Sequence, residues 1–140
     1  MTRQSYECIT LAVLVAMPVA AQTSFPDLRG TWKGNSESIV AGTGNSHHPG
    51  SPKSAPRLDS VAFTLTIDKQ HGRRFSGTFS SARGTEPIIG VISRTGTFYL
   101  VDTDGYAYGT VLGRDRLESC YLQIGPNARV ASCTEMTKQP

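Results

Sequence analysis

Two adjacent imidazoles, His47 and His48, lie in the stretch AGTGNSHHPGSPKSAPRL at residues 41–58. Histidine titrates near neutral pH and is the commonest metal ligand, so such a pair could hold a cation or move a proton. Neighbouring residues on one loop do not readily converge on a single ion, however, and no cysteine or acidic cluster beside them completes a ligand set. His71 falls in a hairpin turn. Asp102 and Asp104 flank another, without the further acids of a calcium loop, and read as turn caps. Serines are plentiful, yet none stands in a nucleophile elbow with a placed histidine and acid. The sequence thus predicts no metal, no cofactor and no enzymatic activity.

Cys120 and Cys133 carry a different chemistry. They sit in SCYLQIGPNARVASC, whose midpoint falls between the turn formers Pro126 and Asn127. Two strands folded back there place the cysteines opposite each other, within disulfide reach. The third cysteine, Cys8, belongs to the opening MTRQSYECITLAVLVAMPVAAQTS. A basic residue, a short apolar run and small residues at 19–21 form the pattern of a secretory signal peptide over 1–21. The run is far shorter than the roughly 20 residues that span a bilayer. Export to the periplasm or the medium agrees with a disulfide, and the mature chain is expected to begin at residue 22 with no membrane span. The net charge of +3 is small and scattered, so a nucleic-acid partner is not expected.

The elements that must position these residues are strands. VAFTLTI alternates Val61, Phe63, Leu65 and Ile67 with smaller or polar residues, the period of a sheet with one packed face. Turn signals divide the rest. They predict strands over 28–39, 60–69, 74–82, 88–94, 97–102, 106–112, 116–124 and 128–136, with Gly84 and Pro87 as breakers before the fourth. Eight short strands in a meander leave two exposed edges unless the sheet closes. The expected fold is therefore all-β: one domain over 22–140, an eight-stranded antiparallel up-and-down barrel. A two-sheet sandwich is the alternative. Residues 41–58 have little apolar surface and are expected to form a flexible loop at one mouth, with a lid as one role.

Three stretches carry a family resemblance: GTWKGNSES at 30–38, GRRFSGTFSSARG at 72–84 and IIGVIS at 88–93. In that order and spacing they resemble the calycin barrels, nearest the avidin and streptavidin branch. The resemblance implies that Trp32 plugs one end of the barrel, covered by Met136 or Lys138 from the last strand. Carried over residue by residue, the family's biotin site is incomplete. Its asparagine falls on Gly34 and its tyrosine on Phe79, whereas two serines fall on Ser38 and Ser81. The further tryptophans of such a pocket are absent, so biotin is not the expected ligand.

Counting by twos from Trp32 and Phe79 turns Gly34, Ser36 and Ser38 inward on the first strand, and Phe75, Gly77 and Ser81 on the third. Phe63 and Leu65 face inward on the second. Trp32, Ser36, Ser38, Phe63, Phe79 and Ser81 are therefore the candidate ligand-binding residues. The expected function is an exported binding protein holding a small, partly apolar ligand at the barrel mouth. The alternative is an exported inhibitor of a protease or a cell-wall lytic enzyme. It would act on a protein target through the 41–58 loop or the N-terminal segment. The sequence leaves the oligomeric state open.

Overall fold

A computed structural model describes residues 24–140; the expected signal peptide lies outside them. Nine strands follow in order: β1 Gly30–Gly42, β2 Arg57–Asp59, β3 Ala62–His71, β4 Arg74–Ser81, β5 Gly84–Ile92, β6 Phe98–Val101, β7 Tyr106–Val111, β8 Arg116–Ile124 and β9 Ala128–Lys138. From β3 onward each pairs antiparallel with the next. The ring closes where β1 pairs with β9, from Trp32 against Lys138 to Gly42 against Ala128. The protein is thus a closed eight-stranded antiparallel barrel with one extra strand, not a sandwich. Among the described residues no helix is long and apolar enough to cross a membrane.

The extra strand departs from the expected meander. β1 pairs with β3 only through Asn35; beyond that, Ser38–Val40 pair with the short β2. β2 and β3 thus line up as one interrupted strand, and Ser36 bridges the interruption. Its Oγ accepts the Val61 N–H at 3.0 Å and its own N–H donates to the Val61 carbonyl at 2.9 Å. The fourth expected strand also begins earlier than predicted. Gly84 opens β5, and Pro87 sits inside it opposite Thr78. Proline is tolerated there because β6 pairs only with Ile89–Ile92, leaving residue 87 on a local edge with no ladder bond to supply.

The closed end is apolar. Leu28, Trp32, Leu65, Ile67, Ile88, Ile92, Phe98, Leu117 and Met136 pack in one buried cluster. The Trp32 indole N–H donates to the Leu28 carbonyl at 2.8 Å, and the Lys138 ammonium lies 5.1 Å from the ring centroid, a cation–π contact. Gly30 takes a positive φ of 119°, and a Cβ there would press on the Lys138 side chain at 2.9 Å. That is the physical content of the Gly-x-Trp stretch. Backbone bends at 30, the indole drops into the barrel end, and the final strand's lysine closes over it.

At Gly34 β1 runs close against β9: a Cβ would lie 2.1 Å from the Glu135 carbonyl oxygen. Gly34→Ala must push the closing strands apart. It is expected to lower the unfolding free energy by about 1–3 kcal/mol, as overpacking does elsewhere. Urea titration of the variant checks this.

The Cys120–Cys133 disulfide joins directly opposed residues of β8 and β9, with Cα atoms 4.0 Å apart. Strand parity puts it on the outer wall, with Ser119 and Thr134 turned inward beside it.

Candidate functional site

The barrel interior changes character along its axis. Above the apolar cluster, Ser36, Ser38, Ser119, Ser132 and Thr134 are all buried. Ser38 Oγ lies 2.9 Å from Ser36 Oγ and 2.8 Å from Ser132 Oγ, so three hydroxyls form a chain across β1 and β9. Such a network keeps buried polar groups satisfied without charge. Phe63 and Phe79 stack beside it with centroids 4.4 Å apart.

The 41–58 segment forms the roof. It keeps the position expected of it, at a mouth; Gly44, His47 and His48 fold inward, whereas residues 49–53 are exposed. β1 runs on to Gly42, Gly44 bridges Pro49, and the Thr43 N–H donates to the Asn127 carbonyl. Asn45 builds the turn: its side-chain oxygen accepts from the N–H groups of His47 and His48 at 3.0 and 2.8 Å. This directs both imidazoles down into the barrel, where they are 4% and 2% exposed. His47 meets Phe63 and Phe79 edge-on, at 5.3 and 6.1 Å between centroids. A segment poor in apolar residues thus seals the mouth with imidazole rings.

Latches from four strands hold this roof. Ser81 Oγ lies 2.7 Å from His47 Nδ1, and Arg83 Nη1 donates to the His47 carbonyl at 2.6 Å. Ser46 donates to Glu86 at 2.7 Å, Asn45 to Gln123 at 3.0 Å, and His48 Nδ1 lies 3.0 Å from Asp59 Oδ2. The two histidines therefore turn to different partners. Among the described residues no three His, Cys, Asp or Glu side chains converge as a cation site.

Beneath the roof is a cavity of about 20 Å³, room for about one water. Its walls include His47, His48, Phe63, Phe79, Ser132 and Tyr121. Two buried polar atoms on that wall have no partner: His47 Nε2 and the Tyr121 hydroxyl. Glu86 is the nearest acid to Nε2, at 3.8 Å, too far for a hydrogen bond. Burial holds the His47 pKa below the usual imidazole value, with His48 and Arg83 acting the same way and Glu86 and Asp102 opposing it. Burial likewise pushes the Tyr121 phenol up, helped by Asp102, Asp104 and Glu86, while the nearby Asn45 side chain acts the other way. Both groups are therefore neutral at pH 7: one imidazole and one phenol with hydrogen-bonding capacity to spare. The His48 hydrogen bond, as the largest cause, holds the Asp59 carboxyl below the usual aspartate value.

Of the six candidate ligand residues, Phe63 and Phe79 line the cavity. Ser81 holds the roof above it, and Ser38 reaches it through Ser132. Ser36 serves the wall, where it patches the β2–β3 interruption. Trp32 lies in the apolar cluster at the closed end, away from the cavity lining. Asn45, His47, His48, Ser119, Tyr121, Ser132 and Thr134 complete the site. Asp102 caps its turn, accepting from the Asp104 and Gly105 N–H groups at 2.8 and 2.7 Å, and also borders the cavity.

No family model matches the chain, and no curated protein does. Among solved structures, an S-type phycobiliprotein lyase from Guillardia theta aligns with 81% of this chain and 89% of that one. The match has a TM-score of 0.46 and 14% sequence identity.

Proposed function

We propose that this chain is an exported, non-enzymatic binding protein, and that its ligand is a small, partly apolar molecule taken into the barrel mouth beneath the 43–56 roof. The observation that carries the reading is the pair of orphaned polar atoms, His47 Nε2 and the Tyr121 hydroxyl, on one cavity wall beside the stacked Phe63 and Phe79. Buried polar groups without partners cost about 1–3 kcal/mol each, so each calls for an explanation, and a bound ligand supplies one. A flat molecule with one polar edge meets both needs: rings for the phenylalanines and a donor or acceptor for the imidazole and the phenol. The closed cavity is too small for such a ligand, so the roof is a lid that lifts or is displaced on entry. Kinship with the calycin barrels, on the avidin and streptavidin side, is supported by the indole plug under Lys138; the biotin site itself is incomplete. The signal-peptide pattern and the disulfide support export.

Tyr121→Phe separates a ligand site from ordinary packing. It removes an unsatisfied hydroxyl and is expected to leave the unliganded protein as stable as the wild type, or more stable by about 1 kcal/mol. Native mass spectrometry of protein purified from its own host should show a non-covalent small-molecule adduct on the wild type and much less on Tyr121→Phe. Destabilisation by more than 1 kcal/mol, or no retained molecule, counts against the reading. The nearly filled interior favours a second reading, an inhibitor of a protease or a cell-wall lytic enzyme, which the same spectra would reveal as a retained protein in place of a small molecule.

A further inference from the structure

The outer wall of the barrel carries a feature that the mouth does not use. On β5, β6 and β7 two cross-strand rows run side by side: Ile89–Val101–Tyr106 and Val91–Tyr99–Tyr108. All six side chains point out, each between 40% and 65% exposed. The other outward positions of these strands, Thr85, Pro87 and Thr110, are uncharged too. Toward β8 the second row continues into the disulfide and the first into Leu122; toward β4 both end on the polar Arg74 and Ser76.

The fractional exposures amount to roughly 600 Å² of surface, the three tyrosine hydroxyls included, near the upper limit of the patches a soluble monomer leaves bare. With a rim added, this approaches the ~800 Å² that each partner buries in a standard interface.

We propose that the outer face of β5–β7 is a self-association surface on which a second copy of this chain packs face to face, giving a two-fold dimer. Charge favours this occupant. An uncharged face meets its own copy without like-charge repulsion across its centre, and the cation at its margin, Arg74 beside Val91, lies at the rim. No lysine or arginine stands among the outward residues of these three strands to meet anionic lipid. β6 is paired along both sides, and the longest unpaired edge of these strands, residues 84–88 of β5, is interrupted by Pro87 and seats an added peptide strand poorly, so contact is side chain to side chain, as when two sheets pack about 10 Å apart. Tyrosine is enriched at such interfaces because its ring packs while its hydroxyl stays wet. The face lies on the side of the barrel, outside the cavity lining apart from Ala107 and Leu100, whose side chains point inward. The inference is therefore independent of any ligand.

Sedimentation equilibrium of the mature protein over a concentration series, together with the Tyr99→Lys and Val101→Lys variants, tests it. The wild type should show twice the monomer mass at micromolar concentration, and each variant should weaken association at least 100-fold. Glu37→Lys, on the outer face of β1 away from these three strands, should not change association. Circular dichroism checks that each variant is folded, and the wild-type concentration series stands without any variant. A wild type that stays monomeric throughout overturns the proposal, as does a dimer that survives both lysines. So does a monomer that floats with vesicles of phosphatidylcholine and phosphatidylglycerol, which would assign the face to lipid.

Discussion

Trp32→Ala is expected to lower the unfolding free energy by about 3–5 kcal/mol, the range for truncating a large buried aromatic. Small domains hold only about 5–15 kcal/mol in all, so the variant should be close to unfolding at 37 °C. Trp32 is among the largest fully buried side chains, its N–H is bonded to Leu28, and Lys138 covers its face. Truncation removes the plug, orphans the Leu28 carbonyl and leaves Lys138 above a void. Trp32→Phe keeps most of the volume and should lose markedly less. Urea unfolding followed by far-UV circular dichroism measures both without the indole signal. A loss below 1 kcal/mol for alanine would mean that the closed end is held without its plug.

Loss of the disulfide should be the next largest effect. The Cys120→Ser, Cys133→Ser double variant is expected to lose about 3 kcal/mol, the chain-entropy value for a loop of this size. The bond spans 13 residues and staples the two strands of which the second closes the ring on β1. The urea midpoint should fall while the slope rises or stays level, since the unfolded chain becomes freer. Equal midpoints for the wild type in the presence and absence of reductant would show that the bond contributes nothing.

Strand parity made most of the wall legible in the sequence. VAFTLTI, the Asp-Gly and Pro-Asn turns and the cysteine pair each encode a local rule that tertiary packing did not override. The indole plug was legible because a single large aromatic after Gly30 has few other places to go. The roof was not. Its Gly, Ser and Pro content reads as solvated chain, and nothing in a polar composition shows that Asn45 will turn two imidazoles inward. Ser119, Tyr121, Ser132 and Thr134 were within reach, however. Cysteines bonded across one outer face force their strand neighbours to the inside, so stepping one residue to either side of Cys120 and Cys133 finds all four. β2 stayed hidden because its partner is only half of β1, and its link to β3 depends on one serine hydroxyl.

Closure of the proposed lid, residues 43–56, requires a neutral, buried His47. His47 has a pKa below its free value in the closed state, so closure is favoured above about pH 6.5 and weakens as pH falls through that value. Asp59 works in a lower window: its depressed pKa costs stability only as pH drops toward or below the ordinary aspartate value near ~3.9. Hydrogen exchange at pH 7.5 and 5.5, corrected for intrinsic rates, reads the lid directly. The bonded amides of Thr43, Asn45 and Gly50 should lose protection at the lower pH, while the β1–β9 ladder keeps its own. Equal protection of these three amides and the ladder at both pH values would make the roof a fixed part of the wall.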